Sequence, residues 1–187
     1  MEFDSVTTGT GDRGESGTYT GERLPKDDLL FELLGSLDEL NSWLGLIKAA
    51  VRHGLEVGFQ DKYSTDEELE AVQRCLHRIS AEAATAPGSE LYATLPLMSE
   101  AELDRLEQSE QAHMASVPMP NDFILPGGTR LGATIDIART VCRRAERCFV
   151  RWLRAGGREG RTAVEISLRY LNRLSDFLFV LARAYEQ

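Results

Sequence analysis

Lysine is nearly absent from this chain: Lys26, Lys48 and Lys62 stand alone among 21 basic residues, and 30 acidic ones bring the formal charge to −9. So acidic a total argues against a protein that coats nucleic acid through its phosphates. An acidic, lysine-poor composition fits a salt-adapted host, and a GC-rich genome equally. Cysteine is scarce as well. Cys75, Cys142 and Cys148 form no C-x-x-C pair and are odd in number, which speaks against a disulfide framework and predicts free thiols in a reducing compartment. His53, His77 and His113 are too scattered for a zinc set. No apolar run reaches eighteen residues, so no membrane span is expected. The opening MEFDSVTTGTGDRG has neither the basic nor the apolar region of a secretory signal, and it is acidic, unlike a transit peptide. A cytoplasmic protein is the expectation.

What remains is helical. At 187 residues and 42% hydrophobic, the chain suits one domain, 1–187, with a sizeable core. Residues 1–27 are rich in Gly, Thr and Ser and predict a loop. From Asp28 to Val51, Leu33, Leu37, Leu40, Leu44 and Ile47 recur on one helical face. The polar stretch His53–Ser64 reads as a connection. Thr65 and Glu68 form a capping-box pattern before Leu69, Val72, Leu76, Ile79 and Ala83. Pro87, Gly88 and Pro96 break that helix, and Ser99 with Glu102 opens another, to about Ala115. After Pro126-Gly127-Gly128 a long helix runs to about Ala155, stopped by Gly156-Gly157; Thr162 and Glu165 then cap a last one. No alternating strand pattern of convincing length and no repeat occurs. The expected fold is all-α: a five-helix, up-and-down, ferritin-like bundle over residues 28–187.

Three places carry residues suited to chemistry. Thr8-Gly9-Thr10-Gly11-Asp12-Arg13-Gly14 contains a formal G-x-G-x-x-G, but no strand precedes it and no helix follows at once, so a dinucleotide fold is disfavoured. Such a loop can still wrap phosphate with backbone N–H groups, aided by the hydroxyls of Thr8, Thr10, Ser16 and Thr18 and by Lys26; a flexible tail is the alternative. In the fourth helix Arg139, Arg143 and Glu146 share a face, with Arg144 and Arg147 beside them. Like charges one turn apart favour a bound polyanion, or else a salt-bridged solvent face. In the last helix Asn172, among Leu168, Leu171, Ser175 and Phe179, is expected to be at least half buried, as a cap between helices or a ligand contact. Glu110-x-x-His113 is one di-iron unit without its second copy, and Phe123-Ile124-Leu125-Pro126 is an apolar loop entering the arginine helix.

TGTGDRGESGTYTGERLPKDD, GSLDELNSWLG, FILPGG, RTVCRRAER and YLNRLSDFLFVLAR stand in the order found in the PduO-type ATP:cob(I)alamin adenosyltransferases, and the chain resembles that family. The stretch from Val51 to Gln111 matches least. The resemblance implies a homotrimer with sites between subunits, and ATP held by Thr8, Gly9, Thr10, Gly11, Ser16, Gly17 and Lys26 of the 1–27 loop. Arg143, Arg144, Glu146, Arg147 and Asn172 would complete the ATP site. It implies an intersubunit pair between Arg139 and Asp38, and Phe123 facing the corrin. Two loop residues depart from the family pattern: Arg13 stands where lysine is usual and Glu15 where threonine is common.

The reaction implied is attack of Co(I) on the 5′ carbon of ATP with triphosphate leaving, assisted by Mg²⁺. Catalysis is then expected from Arg139, Arg143, Phe123 and Asp38, with no protein nucleophile. A cobalamin reductase and an adenosylcobalamin-dependent mutase are the implied partners. A carrier that binds B12 or nucleotide without catalysis is the competing reading.

Overall fold

In the computed structural model, which describes residues 7–52, 65–118 and 122–186, the leucine spacing of the first segment becomes helix α1 (Leu29–Arg52). Asp28 opens it by accepting the Leu30 N–H at 2.8 Å. Leu33, Leu37, Leu40, Leu44 and Ile47 are buried as their period requires. Helix α2 (Thr65–Ala84) buries Leu69, Val72, Leu76, Ile79 and Ala83. Helix α4 (Glu100–Met114) follows the short α3 (Glu90–Ala93). Helix α5 (Arg130–Trp152) and helix α6 (Val164–Ala184) complete the bundle. The expected connection at His53–Ser64, including Lys62, lies outside the described residues.

Successive long helices alternate in direction. Helix α1 packs on α2 and α5, and α6 packs on α5 and α4. Lys48–Glu70 at 2.9 Å and Arg52–Asp66 at 2.8 Å join the end of α1 to the start of α2. Glu32–Arg151 and Glu39–Arg144 join the start of α1 to the end of α5. Helices α4 and α6 lie side by side and run the same way, since Glu100 meets Arg169 at 2.6 Å and Glu107 meets Arg173 at 2.9 Å. The bundle therefore has a lower end, with the starts of α1, α4 and α6 and the ends of α2 and α5. The upper end holds the other termini.

The five expected helices are present, with three differences. Helix α3 forms within the Pro87–Pro96 break because Ser89 caps it, accepting the Tyr92 N–H at 3.1 Å. Residues before α1 contain two strands, β1 (Glu15–Gly17) and β2 (Arg23–Pro25), paired antiparallel; three residues are too few to show alternation in sequence. The Ser99–Glu102 capping box forms, but Thr162–Glu165 does not. Helix α6 starts one residue later, with Ala163 as its cap, and Glu165 pairs with Arg158 at 2.5 Å.

That start is capped from across the bundle. Buried Glu82 of α2 accepts the Ala163 N–H at 3.0 Å and the Tyr92 O–H at 2.8 Å, and Tyr92 in turn accepts the Thr162 N–H. A carboxylate at a helix N-terminus satisfies the orphan donors and the dipole together. Beside it, Arg161 donates to the carbonyls of Glu82, Ala83, Thr85 and Gly157 and stacks on the Trp152 ring. Helix α5 ends in a π turn, Leu153–Gly157, where a Cβ on Gly157 would lie 2.4 Å from the Trp152 ring. All three cysteines are buried and free. Burial pushes the Cys75 and Cys142 thiols up.

Glu82→Ala is expected to lower unfolding stability by about 1–3 kcal/mol, because it orphans a buried N–H and a phenol. A urea midpoint equal to that of the unmodified protein would show that water replaces the carboxylate.

Candidate functional site

The Gly/Thr segment is a folded strap at the lower end. Arg23 organises it: Nη2 donates to the Thr10 carbonyl at 2.7 Å and the Glu15 carbonyl at 3.4 Å, and Nε lies 3.6 Å from the Glu15 carboxylate. Lys26 donates its N–H to Gly14 O at 2.8 Å, and a Cβ on Gly11 would sit 3.0 Å from Lys26 Nζ, so that ammonium overhangs the glycine turn. Gly9 and Gly14 have φ of 65° and 81°, the region glycine alone enters freely. Thr8 and Thr10 share a 2.9 Å hydrogen bond, with both residues exposed. The strap is tied down where Tyr19 N–H donates to Ala84 O and Thr20 Oγ1 accepts the Ala86 N–H. Arg161 grips the adjoining carbonyls of Glu82, Ala83 and Thr85.

The outward face of α5 carries the charge. Arg143, Arg144, Arg147, Arg151 and Arg154 are all exposed. Glu39 pairs with Arg144 and Glu32 with Arg151. No described carboxylate lies within ion-pair distance of Arg143, Arg147 or Arg154. Arg144, Glu146, Arg147, Arg151 and Arg154 line a cavity of about 590 Å³ with Glu32: four cations against two anions. Arg143 and Arg139 line a second cavity, of about 340 Å³, with Glu110 and Asp176.

Glu146 does not pair with Arg143. Its Oε1 accepts from Asn172 Nδ2 at 3.2 Å, which links α5 to α6. Asn172 is exposed, because α6 turns Leu171 and Ser175 inward, and its amide reaches Glu146 on the face of α5 that carries the arginines. Arg139 bonds within the chain to Asp136, Nε to Oδ1 at 2.9 Å. Asp38 stands exposed on α1, and no described side chain neutralises it. His113 of the isolated Glu-x-x-His meets Glu68 at 2.9 Å.

Phe123 lies at the upper end, fully exposed beside an equally open Leu125. With Ile124, Pro126, Asp136, Arg139, Phe179 and Arg183 it bounds a cavity of about 380 Å³. Strap and apolar loop therefore flank opposite ends of α5, whose 23 residues span about 34 Å. Arg143, Glu146 and Asn172 lie between.

The sequence model of the family Cobalamin adenosyltransferase matches residues 6–185. The chain belongs to that family. Human corrinoid adenosyltransferase MMAB is 36% identical over 180 residues, which are 95% of this chain and 67% of the human one. The Bacillus subtilis corrinoid adenosyltransferase is 37% identical over 176 residues, 94% of this chain and 83% of its own. A variant PduO-type ATP:corrinoid adenosyltransferase from Lactobacillus reuteri, solved with cobalamin and ATP, superposes with a TM-score of 0.79 at 31% identity, covering 96% of this chain and 89% of that one.

Sequence reasoning passed over one group in this adenosyltransferase. Buried Asp136 is shared by Arg139 and Arg183, the latter at 2.5 Å and itself buried. The only signal for it was an aspartate beside the apolar stripe of α5, Ile135, Ala138, Cys142, Ala145, Phe149 and Trp152. Asp136→Ala is expected to cost about 3 kcal/mol of stability, the lower end for breaking a buried pair, since Glu186 still neighbours Arg183. Thermal and urea unfolding measure it; a loss under about 1 kcal/mol, the worth of an exposed pair, would mean that Arg183 finds solvent.

Proposed function

We propose that this adenosyltransferase makes adenosylcobalamin from ATP and reduced cobalamin at a site that a second copy of the chain completes. The carrying observation is the exposed strip of α5 arginines, of which Arg143 and Arg147 have no carboxylate partner among the described residues. In a protein of charge −9 such a strip is stable with a polyanion on it, and arginine's planar fork suits phosphate. Thr8, Gly9, Thr10, Gly11, Ser16, Gly17 and Lys26 would hold ATP together with Arg143, Arg144, Glu146, Arg147 and Asn172. Mg²⁺ that rides on phosphates needs only one or two carboxylates, and Glu146 offers one.

Cobalt(I) supplies both electrons of the new Co–C5′ bond. The C5′–O bond breaks, and its electron pair departs with triphosphate. The protein aligns carbon with cobalt and stabilises the growing negative charge, chiefly through Arg143, Arg144 and Lys26. No proton has to move, so no base is required. Phe123, apolar and open, would cover the lower corrin face, keep water and the displaced axial base away, and so ease reduction of four-coordinate Co(II).

Strap and Phe123 lie at opposite ends of one bundle, which supports a site shared between copies. We assign a homotrimer in which Asp38 of one subunit pairs with Arg139 of the next. Free, buried thiols support a reducing compartment, the cytoplasm. Co(I) demands a reductase, and the product suits an adenosylcobalamin-dependent mutase.

Mixing the chain with ATP, Mg²⁺ and reduced cobalamin should release triphosphate and form adenosylcobalamin in equal amounts; binding without release would identify a carrier. Arg143→Ala should lose about 1.5–3 kcal/mol of triphosphate interaction, seen in ATP KM or kcat, and wild-type kinetics would remove this arginine from the site. Asp38→Asn should weaken the trimer or the activity; sedimentation and turnover both equal to the parent would reject the pairing.

A further inference from the structure

Helices α4 and α6 run parallel as neighbours, and the residues that lead into α5 are fastened to the C-terminal end of α6. Thr129 Oγ1 donates to Tyr185 O at 2.7 Å, and the Gly128 N–H donates to Glu186 Oε1 at 3.2 Å. Glu186 Oε2 lies 3.1 Å from Arg183 Nε, and Arg183 holds Asp136, which holds Arg139. The Glu186 side chain is only 14% exposed although it stands near the chain's end. It lies in a notch made by two glycines. A Cβ on Gly132 would come within 2.7 Å of Glu186 Cγ, and one on Gly128 within 3.1 Å of Cδ. Phe123, Ile124 and Leu125 leave this anchor directly.

We propose that Glu186 is a positioning residue for the adenosyl transfer: its carboxylate, set in the glycine notch and paired with Arg183, latches the base of the apolar loop and so fixes where Phe123 meets the corrin. The proposal rests on the reading of Phe123 given above. A wandering loop would still present a phenyl ring, but not against one face of a rigid macrocycle. The loss would fall on the step that needs water and base excluded, reduction of Co(II), rather than on ATP binding at the strap and the arginines. The same carboxylate reaches Arg139 through Arg183 and Asp136, so the latch joins the corrin loop to the residue assigned to the subunit contact.

The test compares full-length Glu186→Ala, Glu186→Gln and Phe123→Ala with the parent. Amide exchange across 123–128, ATP affinity, the spectrum of four-coordinate Co(II), and turnover from Co(II) and from pre-reduced cobalamin are measured. In Glu186→Ala the Gly128 amide should exchange about tenfold faster or more, as expected for loss of a charge-assisted hydrogen bond. The four-coordinate signal and Co(II) turnover should fall by a similar factor, with ATP affinity held and turnover from pre-reduced cobalamin reduced far less. Glu186→Gln keeps an oxygen for Gly128 and should retain most of both. Parent-like exchange in Glu186→Ala overturns the latch, and so does an equal loss of ATP affinity and cobalt signals. Phe123→Ala with parent-like Co(II) turnover would sink the role of Phe123 instead; the latch would then be judged on exchange alone.

Discussion

Positive charge without a counter-charge on the outward face of α5 is the constraint around which this protein is arranged. Several arginines elsewhere are neutralised: Arg74 by Glu70, Arg78 by Glu102, Arg173 by Glu107 and Asp176. Even on α5 the edge arginines have partners in α1. The residues left over, Arg143, Arg147 and Arg154, project where no neighbouring helix covers them. Like charges at helical spacing cost a few tenths of a kcal/mol in water and more once water is displaced. A polyanion on the strip would reverse that sign, and the Asn172–Glu146 hydrogen bond lies along its edge.

The second constraint is distance. A strap fixed to the last turn of α2 cannot approach an apolar loop fixed to the last turn of α6, because α5 separates them by its own length. Adenosine and corrin must nevertheless touch for carbon to reach cobalt. In the proposed assembly the lower end of one chain would meet the strip of another without any helix bending. Asp38, exposed and without an ion-pair partner among the described residues, would find one there. Arg139, whose guanidinium is only partly shielded beside Asp136, keeps donors for such a partner.

Much of the bundle could be read from period alone: the leucines of α1 and the stripe of α5 are buried where a 3.6-residue repeat puts them. What escaped reading came from contacts between segments distant in sequence. Thr162 and Glu165 fit the local capping pattern, yet Glu82, some eighty residues earlier, occupies the role. Asn172 looked buried because its sequence neighbours are, but the angular position that decides exposure depends on which face of α6 meets α5. The strands in the strap are set by Arg23 reaching back to Thr10 and Glu15, a contact no period reveals. That Glu146 bonds Asn172 rather than Arg143 was likewise not legible, because it depends on how α6 meets α5.

Glu15 shows why such contacts matter for chemistry. A carboxylate in a strap proposed to hold phosphate should repel that ligand, and the family resemblance sets threonine at this position. In this chain Arg23 lies against that carboxylate while its other nitrogen holds the Thr10 carbonyl, so the added charge is met inside the strap and stiffens the turn. The ammonium of Lys26 overhangs Gly11, and Arg13 is exposed in the turn that follows. The acid that the sequence gained is thus met by Arg23 and leaves the Lys26 ammonium over the glycine turn. A departure that looks unfavourable residue by residue is compensated one strand away, and only the antiparallel register of β1 and β2, which sets Gly17 opposite Arg23, brings the compensating arginine into reach.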